Sequence, residues 1–211
     1  MNLNSIKLYR ITHIKNIKHI VKFGITNKYS KNANKNFIDI GSDELIEIRN
    51  HFEVVIDNGE FFLYDKVKKI ILGDFIPFYF FIKMPMLYKI QKNTDINPQE
   101  IVYLVIRLKD IMNQNFEYYF SDGHAISKTS NFYDKNHIKK IVEILDWKAI
   151  MSKNWNEPII KKRKQAEFLI REDIPEKFIC NYICYDESSK QKLIEYGVKE
   201  NKIIVDREAY Y

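Results

Sequence analysis

The chain has 211 residues, with 34 Lys+Arg against 28 Asp+Glu, a formal net charge of +6 and an isoelectric point near 9.0. Hydrophobic and aromatic shares of 45% and 14% exclude global disorder, and only 6 Gly and 5 Pro exclude collagen-like and low-complexity classes. The length suits a single domain over 1–211, the two Cys argue for a reducing compartment, and the mild basic excess permits an acidic partner without demanding one.

In chain order, 6–12 reads as a strand. Residues 13–23 read as a helix, because Ile14, Ile17, Ile20 and Val21 share one face and Gly24 follows as a stop. The polar, Asn-rich 26–37 stretch lacks periodicity and reads as a loop. Residues 43–50 fit a short helix with Ser42 as N-cap. The aromatic 75–81 stretch is strand-like, and Pro85 can open a helix through Tyr88 and Ile90. Residues 101–108 form a buried strand and 117–120 another, with Asp122-Gly123 expected as a turn. Residues 135–145 read as a helix with Ile138, Ile141, Val142 and Leu145 on one face. Strands at 165–170 and 177–185 flank a break at Pro175. Residues 189–196 make a helix ended by Gly197, and 202–206 a final strand. Strands and helices mix without regular βαβ alternation, which favours α+β.

No stretch approaches the roughly 20 uncharged apolar residues that span a bilayer. The most apolar run, 75–86, is short and carries Lys83. Residues 1–7 have no apolar core of signal-peptide length. The expectation is a cytoplasmic protein with no membrane partner.

Familiar chemical motifs are absent. There is no GxGxxG, no GxxxxGK[ST], no HExxH, no paired CxxC and no GxSxG. The five His (His13, His19, His51, His124, His137) and two Cys form no metal-ligand spacing, so no metal is expected. Cys180 and Cys184 are expected on one face of a strand as apolar thiols.

Three segments are unusual for plain core. The first is Tyr9-Arg10-Ile11-Thr12-His13-Ile14-Lys15-Asn16. The second is Ile76-Pro77-Phe78-Tyr79-Phe80, followed by Pro85-Met86-Leu87-Tyr88. The third is Lys161-Lys162-Arg163-Lys164-Gln165-Ala166-Glu167-Phe168-Leu169. Together they resemble the DarT toxins, a family that ADP-ribosylates DNA and reads Tyr-His-Ile-Thr-His-Ile-x-Asn, Pro-Phe-Tyr-Phe, Pro-Met-Leu-Tyr and Gln-Ala-Glu-Phe-Leu at these places. The likeness continues through Ser121-Asp122-Gly123-His124-Ala125, 146–150 and Tyr210-Tyr211. Two departures stand out: Arg10 where many members have His, and Lys83 where many have Arg. The second trades a planar fork for a point charge.

The resemblance implies an α+β ADP-ribosyltransferase fold, a split antiparallel β-sheet core with flanking helices and NAD in the cleft. It implies transfer of ADP-ribose from NAD, as co-substrate, to a base in single-stranded DNA, with release of nicotinamide. Glu167 is the expected catalytic carboxylate, although on charge alone it could simply pair with the adjacent Lys/Arg run. Arg49 is expected beside it, and His124 as the residue handling the target base. Arg10, Thr12, His13, Asn16, Arg49 and Tyr79 are expected to bind NAD, the first helical turn taking the pyrophosphate and 26–37 forming a mobile flap. Lys83, Met86, Tyr88, Lys161, Lys162, Arg163 and Lys164 are expected to contact DNA by charge and stacking. The expected partner is an antitoxin with ADP-ribosyl-glycohydrolase activity, a macrodomain or related fold, and the toxin is expected as a monomer. Residues 40–46 and 74–77 look more like the guanine-modifying branch than the thymine-modifying one. RNA or protein as acceptor, and a non-catalytic single-stranded nucleic-acid binding module, are the alternatives.

Overall fold

The computed structural model describes residues 2–57 and 68–211. Ten strands are present among the described residues: β1 (Lys7–His13), β2 (Glu53–Asp57), β3 (Lys69–Ile71), β4 (Ile76–Tyr79), β5 (Ile101–Arg107), β6 (Tyr118–His124), β7 (Phe132–Tyr133), β8 (Ala166–Ile170), β9 (Ile179–Cys184) and β10 (Ile203–Val205). They lie in the order β10-β9-β5-β1-β4-β8-β6-β7-β2-β3. The expected split is visible at β1/β4, where the only paired position is Tyr9 opposite Tyr79. Pairing is antiparallel except at β9/β10 and β2/β7, which are parallel. Strand β5 is buried along Ile101–Ile106, as its unbroken apolar run requires of a strand covered on both faces.

The helices are α1 (Ile17–Phe23), α2 (Asp43–His51), α3 (Pro85–Asn93), α4 (Leu108–Met112), α5 (Ile141–Ile144), α6 (Trp147–Met151), α7 (Pro158–Lys164) and α8 (Glu187–Glu195). Gly24 ends α1 at a φ of 80°, in the left-handed region open to glycine. Ser42 sits at the N-cap of α2 without a side-chain capping bond. Pro85 stands in the first turn of α3.

Four expectations change. Asp122-Gly123 is no turn. It lies inside β6, where the register against β8 jumps from Phe120↔Phe168 to His124↔Ala166. Asp122 exchanges bonds with Asn131 instead, so the pair forms an irregularity in a strand. Residues 135–145 are mostly 3-10, at Lys135–Lys140, before the four residues of α5. The apolar spacing Ile138, Ile141, Ile144 is three, which suits the 3-10 period. The basic run 161–164 lies on α7, opened by Pro158, where no helix was expected. Cys180 and Cys184 pack against different hydrophobic clusters. Val105 faces Asn181 and Ile106 faces Ile179, so Cys180 is an extra residue that reverses the alternation.

Candidate active site

Four neighbouring strands and one helix converge on a cavity of about 670 Å³, within the usual size of small-molecule and cofactor sites. Its wall includes Arg10 and Thr12 of β1, Tyr79 of β4, Glu167 of β8, His124 of β6 and Arg49 of α2. Residues far apart in sequence meet because β1, β4, β8 and β6 are consecutive in the sheet.

Glu167 is fully buried, at 0% exposure. Its Oε2 accepts from Arg49 Nη1 at 2.8 Å, and its Oε1 accepts from the Ala125 N–H at 3.3 Å. The Glu167 N–H donates to Ser121 Oγ at 3.1 Å, and that hydroxyl donates to the Gly123 carbonyl at 2.6 Å. The irregularity at 121–123 therefore wraps β6 around Glu167 and delivers His124 and Ala125 beside it. Glu167 pairs with Arg49 of α2 and not with the basic run that precedes it. Arg49 Nη2 is buried and has no partner among the described residues.

Arg49 is set by a close approach. A Cβ on Gly73 would lie 2.7 Å from Asn50 Cα and 3.0 Å from the Arg49 carbonyl. Only glycine lets the turn at Leu72–Asp74 press against α2.

Tyr79 lies opposite Glu167 in the β4/β8 register. Burial and the Glu167 charge push its phenol up, so it stays a neutral hydroxyl, 3.5 Å from Met86 Sδ. Arg10 donates from Nη1 to the Pro77 carbonyl at 3.1 Å. Asp39, also on the wall, is its main opposing charge. Thr12 Oγ1 accepts from Asn16 Nδ2 at 3.0 Å. Burial lowers the His124 imidazole below its ordinary 6.5; Glu167 opposes this, and Arg49 and Lys161 add to it.

His13 and Asn16, expected from the resemblance to bind NAD, are not among the residues that line the cavity. Alternation along β1 separates His13 from Arg10 and Thr12. Its Nδ1 accepts from the Lys15 N–H at 3.1 Å, and its Nε2 lies 3.6 Å from Glu100. That first-turn N–H is thus already used within the chain. Asn16 instead holds the wall: Nδ2 donates to the Ile38 carbonyl at 2.8 Å, and Oδ1 accepts from the Ile38 N–H at 2.9 Å. The 26–42 stretch does line the cavity. It is anchored by Asn27, which donates to the Asp74 and Arg171 carbonyls, and by Asp173, which accepts from the Asn27 N–H and Ser30 Oγ.

Of the expected DNA-contact residues, Met86 lines the cavity and Tyr88 is exposed. Lys83 adopts a φ of 53° and reaches over the Tyr211 ring. The basic run divides. Lys164, expected to contact DNA, is instead 4% exposed and donates to the Ile150 carbonyl at 2.9 Å. Burial without a counter-charge lowers its amine to about 8. Lys162 donates to Thr129, and Arg163 pairs with Asp146 at 2.6 Å. Lys161 lies over Trp155. A helix distributes four consecutive cations around its axis, which a reading of the run as one patch overlooks.

Asp39, Ser121 and Gly73 were not singled out from the sequence as site residues. Asp39 and Gly73 carry no local signal. Ser121 stood inside a matched motif, yet its role depends on the irregular strand that motif encodes.

A buried carboxylate of β8 paired with an arginine of α2, on the wall of a cavity beside a split sheet, is the arrangement that the resemblance to ADP-ribosyltransferases implies. The family model described as "ssDNA thymidine ADP-ribosyltransferase, DarT" matches residues 9–211. The chain belongs to the DarT family. It is 29% identical over 210 residues to a DNA ADP-ribosyl transferase of Escherichia coli O127:H6, covering 95% of this chain and 90% of that one. It is 26% identical over 179 residues to a DNA ADP-ribosyl transferase–DNA ADP-ribosyl glycohydrolase fusion protein of Thermosipho africanus, covering 82% of this chain and 41% of the fusion. In fold it is similar to Thermus sp. 2.9 DarT in complex with ADP-ribosylated ssDNA, with a TM-score of 0.80, 23% identity, and 97% and 96% of the two chains covered. The same Thermus protein in complex with NAD+ gives a TM-score of 0.75 at 22% identity, with 97% of each chain covered.

Proposed function

We propose that this chain transfers ADP-ribose from NAD to a base of single-stranded DNA, releases nicotinamide, and acts as the toxin of a toxin–antitoxin pair. The observation that carries the reading is the buried Glu167–Arg49 pair on the cavity wall, with His124 beside it. The residues fit the dinucleotide: Arg49 keeps a buried N–H without a partner among the described residues, and Thr12 keeps a hydroxyl proton to donate.

Breaking the bond between nicotinamide and ribose builds positive charge on the anomeric carbon, as in glycoside hydrolysis. A carboxylate held in a dry, preorganised position stabilises that charge more than it would in water. Glu167 supplies it, and Arg49 with the Ala125 N–H fixes its orientation. The acceptor nitrogen of the base forms the new bond to the anomeric carbon as nicotinamide leaves with the old bond's electrons. His124, with its lowered basicity, is neutral near pH 7 and takes the base proton. Tyr79 and Met86 form the adjoining wall.

A transferase fused to a glycohydrolase in the Thermosipho relative supports an antitoxin that removes the modification. No helix among the described residues is long and apolar enough to cross a membrane, in keeping with a cytoplasmic site of action on DNA. Likeness of residues 40–46 and 74–77 favours guanine as acceptor, whereas the family description names thymidine.

Incubation with NAD and single-stranded oligonucleotides, followed by mass analysis and digestion to nucleosides, tests the reaction and names the base. Glu167→Gln is expected to lower transfer by roughly 10³-fold or more while NAD still binds. Absence of adduct on all four bases, in matched DNA and RNA, from protein that binds NAD would overturn the reading.

A further inference from the structure

The Tyr210-Tyr211 pair takes no part in the chemistry, yet it reaches the loop that joins two pieces of the cavity wall. Residues 80–84 connect β4, which carries Tyr79, to α3, which carries Met86, and both side chains line the cavity. The ends of this loop are fixed. Phe80 packs against Trp147 and Phe168 at 5.7 and 6.3 Å between centroids, and Met84 is 1% exposed. Between them the chain bends through Lys83. Its φ of 53° makes it the only non-glycine residue with a positive φ among the described residues. That conformation is disfavoured for a residue with a Cβ and no short polar side chain, and it persists where the surroundings over-determine it.

Two tyrosine hydroxyls do so, one on each backbone group. The Lys83 N–H donates to Tyr103 Oη at 3.1 Å, and the Lys83 carbonyl accepts from Tyr211 Oη at 2.5 Å. Tyr103 lies on β5 at 0% exposure and donates in turn to the Ala209 carbonyl at 2.8 Å. Tyr210 is 2% exposed and donates to the Ile101 and Ile183 carbonyls at 2.9 and 3.1 Å, which ties it to β5 and β9. The Tyr211 N–H donates to Gln91 Oε1 of α3 at 3.0 Å. Burial pushes all three phenols up, so each keeps the proton it donates.

We propose that Tyr103 and Tyr211 are positioning residues that clamp Lys83 in its left-handed turn and so fix α3, with Met86, against Tyr79 in the cavity wall. Tyr79 is held by strand pairing opposite Glu167. A relaxed loop therefore shifts the Met86 side and opens the 3.5 Å contact between Tyr79 Oη and Met86 Sδ. The consequence for transfer rests on the function proposed above, whereas the clamp itself is tested without NAD or DNA.

Hydrogen exchange of the Lys83 amide reads the clamp directly. Tyr211→Phe removes one hydroxyl and keeps the ring, and it should speed that exchange roughly five- to ten-fold, the worth of one hydrogen bond. The same variant should lower the transfer rate roughly three- to ten-fold at matched folded fraction. Asn adopts the left-handed conformation more readily than Lys. In a Lys83→Asn background, Tyr211→Phe should therefore cost less than roughly two-fold in exchange and in transfer, relative to Lys83→Asn alone. Unchanged exchange in Tyr211→Phe, or an equal loss in both backgrounds, overturns the clamp. Faster exchange with unchanged transfer overturns the positioning role. Faster exchange in a protein whose wild type binds NAD but modifies no base would instead overturn the catalytic reading and leave the clamp standing.

Discussion

At the scale of single residues, the site is a set of charges whose positions matter more than their number. His124 shows this. Burial disfavours the imidazolium, Glu167 favours it, and Arg49 and Lys161 disfavour it again, leaving it below its ordinary 6.5. A base acting from that position works in its neutral form. The transfer rate should therefore stay flat as pH falls through 6.5 and decline only below it, along a single-proton slope. His124→Gln should lose roughly 10²–10⁴-fold in rate and with it the acidic limb. An unchanged pH–rate profile in His124→Gln would assign the proton to another group. Lys164 makes the opposite point: a cation in a conspicuous basic run is buried against the Phe81 ring and a carbonyl.

At the scale of elements, two irregularities build the site. The jump in register between Phe120 and His124 lets Ser121 of β6 and Ala125, just after it, both bond to Glu167. The turn at Leu72–Asp74 presses on α2 only because Gly73 lacks a side chain. A methyl group there meets backbone atoms, which cannot swing away, so α2 must move and carry Arg49 off Glu167. Gly73→Ala is expected to cost about 1–3 kcal/mol of stability and at least roughly ten-fold in transfer, because small displacements of positioning groups cost catalysis heavily. Urea denaturation and a transfer assay at matched folded fraction check both. Normal transfer with a normal urea midpoint would mean that the turn yields without moving α2.

At the scale of the whole molecule, stability and site draw on the same sheet. Glu117, just before β6, accepts from Lys68, Tyr119 and Arg171 at 2.8, 2.8 and 3.0 Å, joining the ends of β6 and β8. Burial pushes this carboxyl up, but the three hydrogen bonds outweigh burial and hold it at about 2. A carboxyl depressed in the folded state stabilises above its unfolded value of 4.5 and loses that contribution as pH falls towards about 2. With Lys68 and Arg171 both exposed to solvent, the contribution at pH 7 is about 1–2 kcal/mol. Urea midpoints of wild type and Glu117→Gln should differ at pH 7 and converge between pH 4.5 and 2. A constant difference across that window would show that the network does not depend on the Glu117 charge.

The sequence by itself determined the elements with strong local signals: the buried run of β5, the Gly24 stop after α1, the Pro85 start of α3, and the ordered motifs carrying Glu167, Arg10 and Thr12. These depend on side-chain periodicity and on single residues whose backbone preferences act over a few positions. Tertiary structure decided what depends on neighbours distant in the chain. It gave Glu167 its partner on α2, made Asp122-Gly123 a strand irregularity instead of a turn, and set Cys180 and Cys184 on different faces by one inserted residue. It also buried Lys164 and brought the rings of Tyr88, Trp155 and Tyr211 into contact. The physical reason is that strand register and helix docking are set by packing between segments distant in the chain, as in the separations of 46 between Ser121 and Glu167 and 118 between Arg49 and Glu167, and no local pattern encodes which groups that packing will bring together.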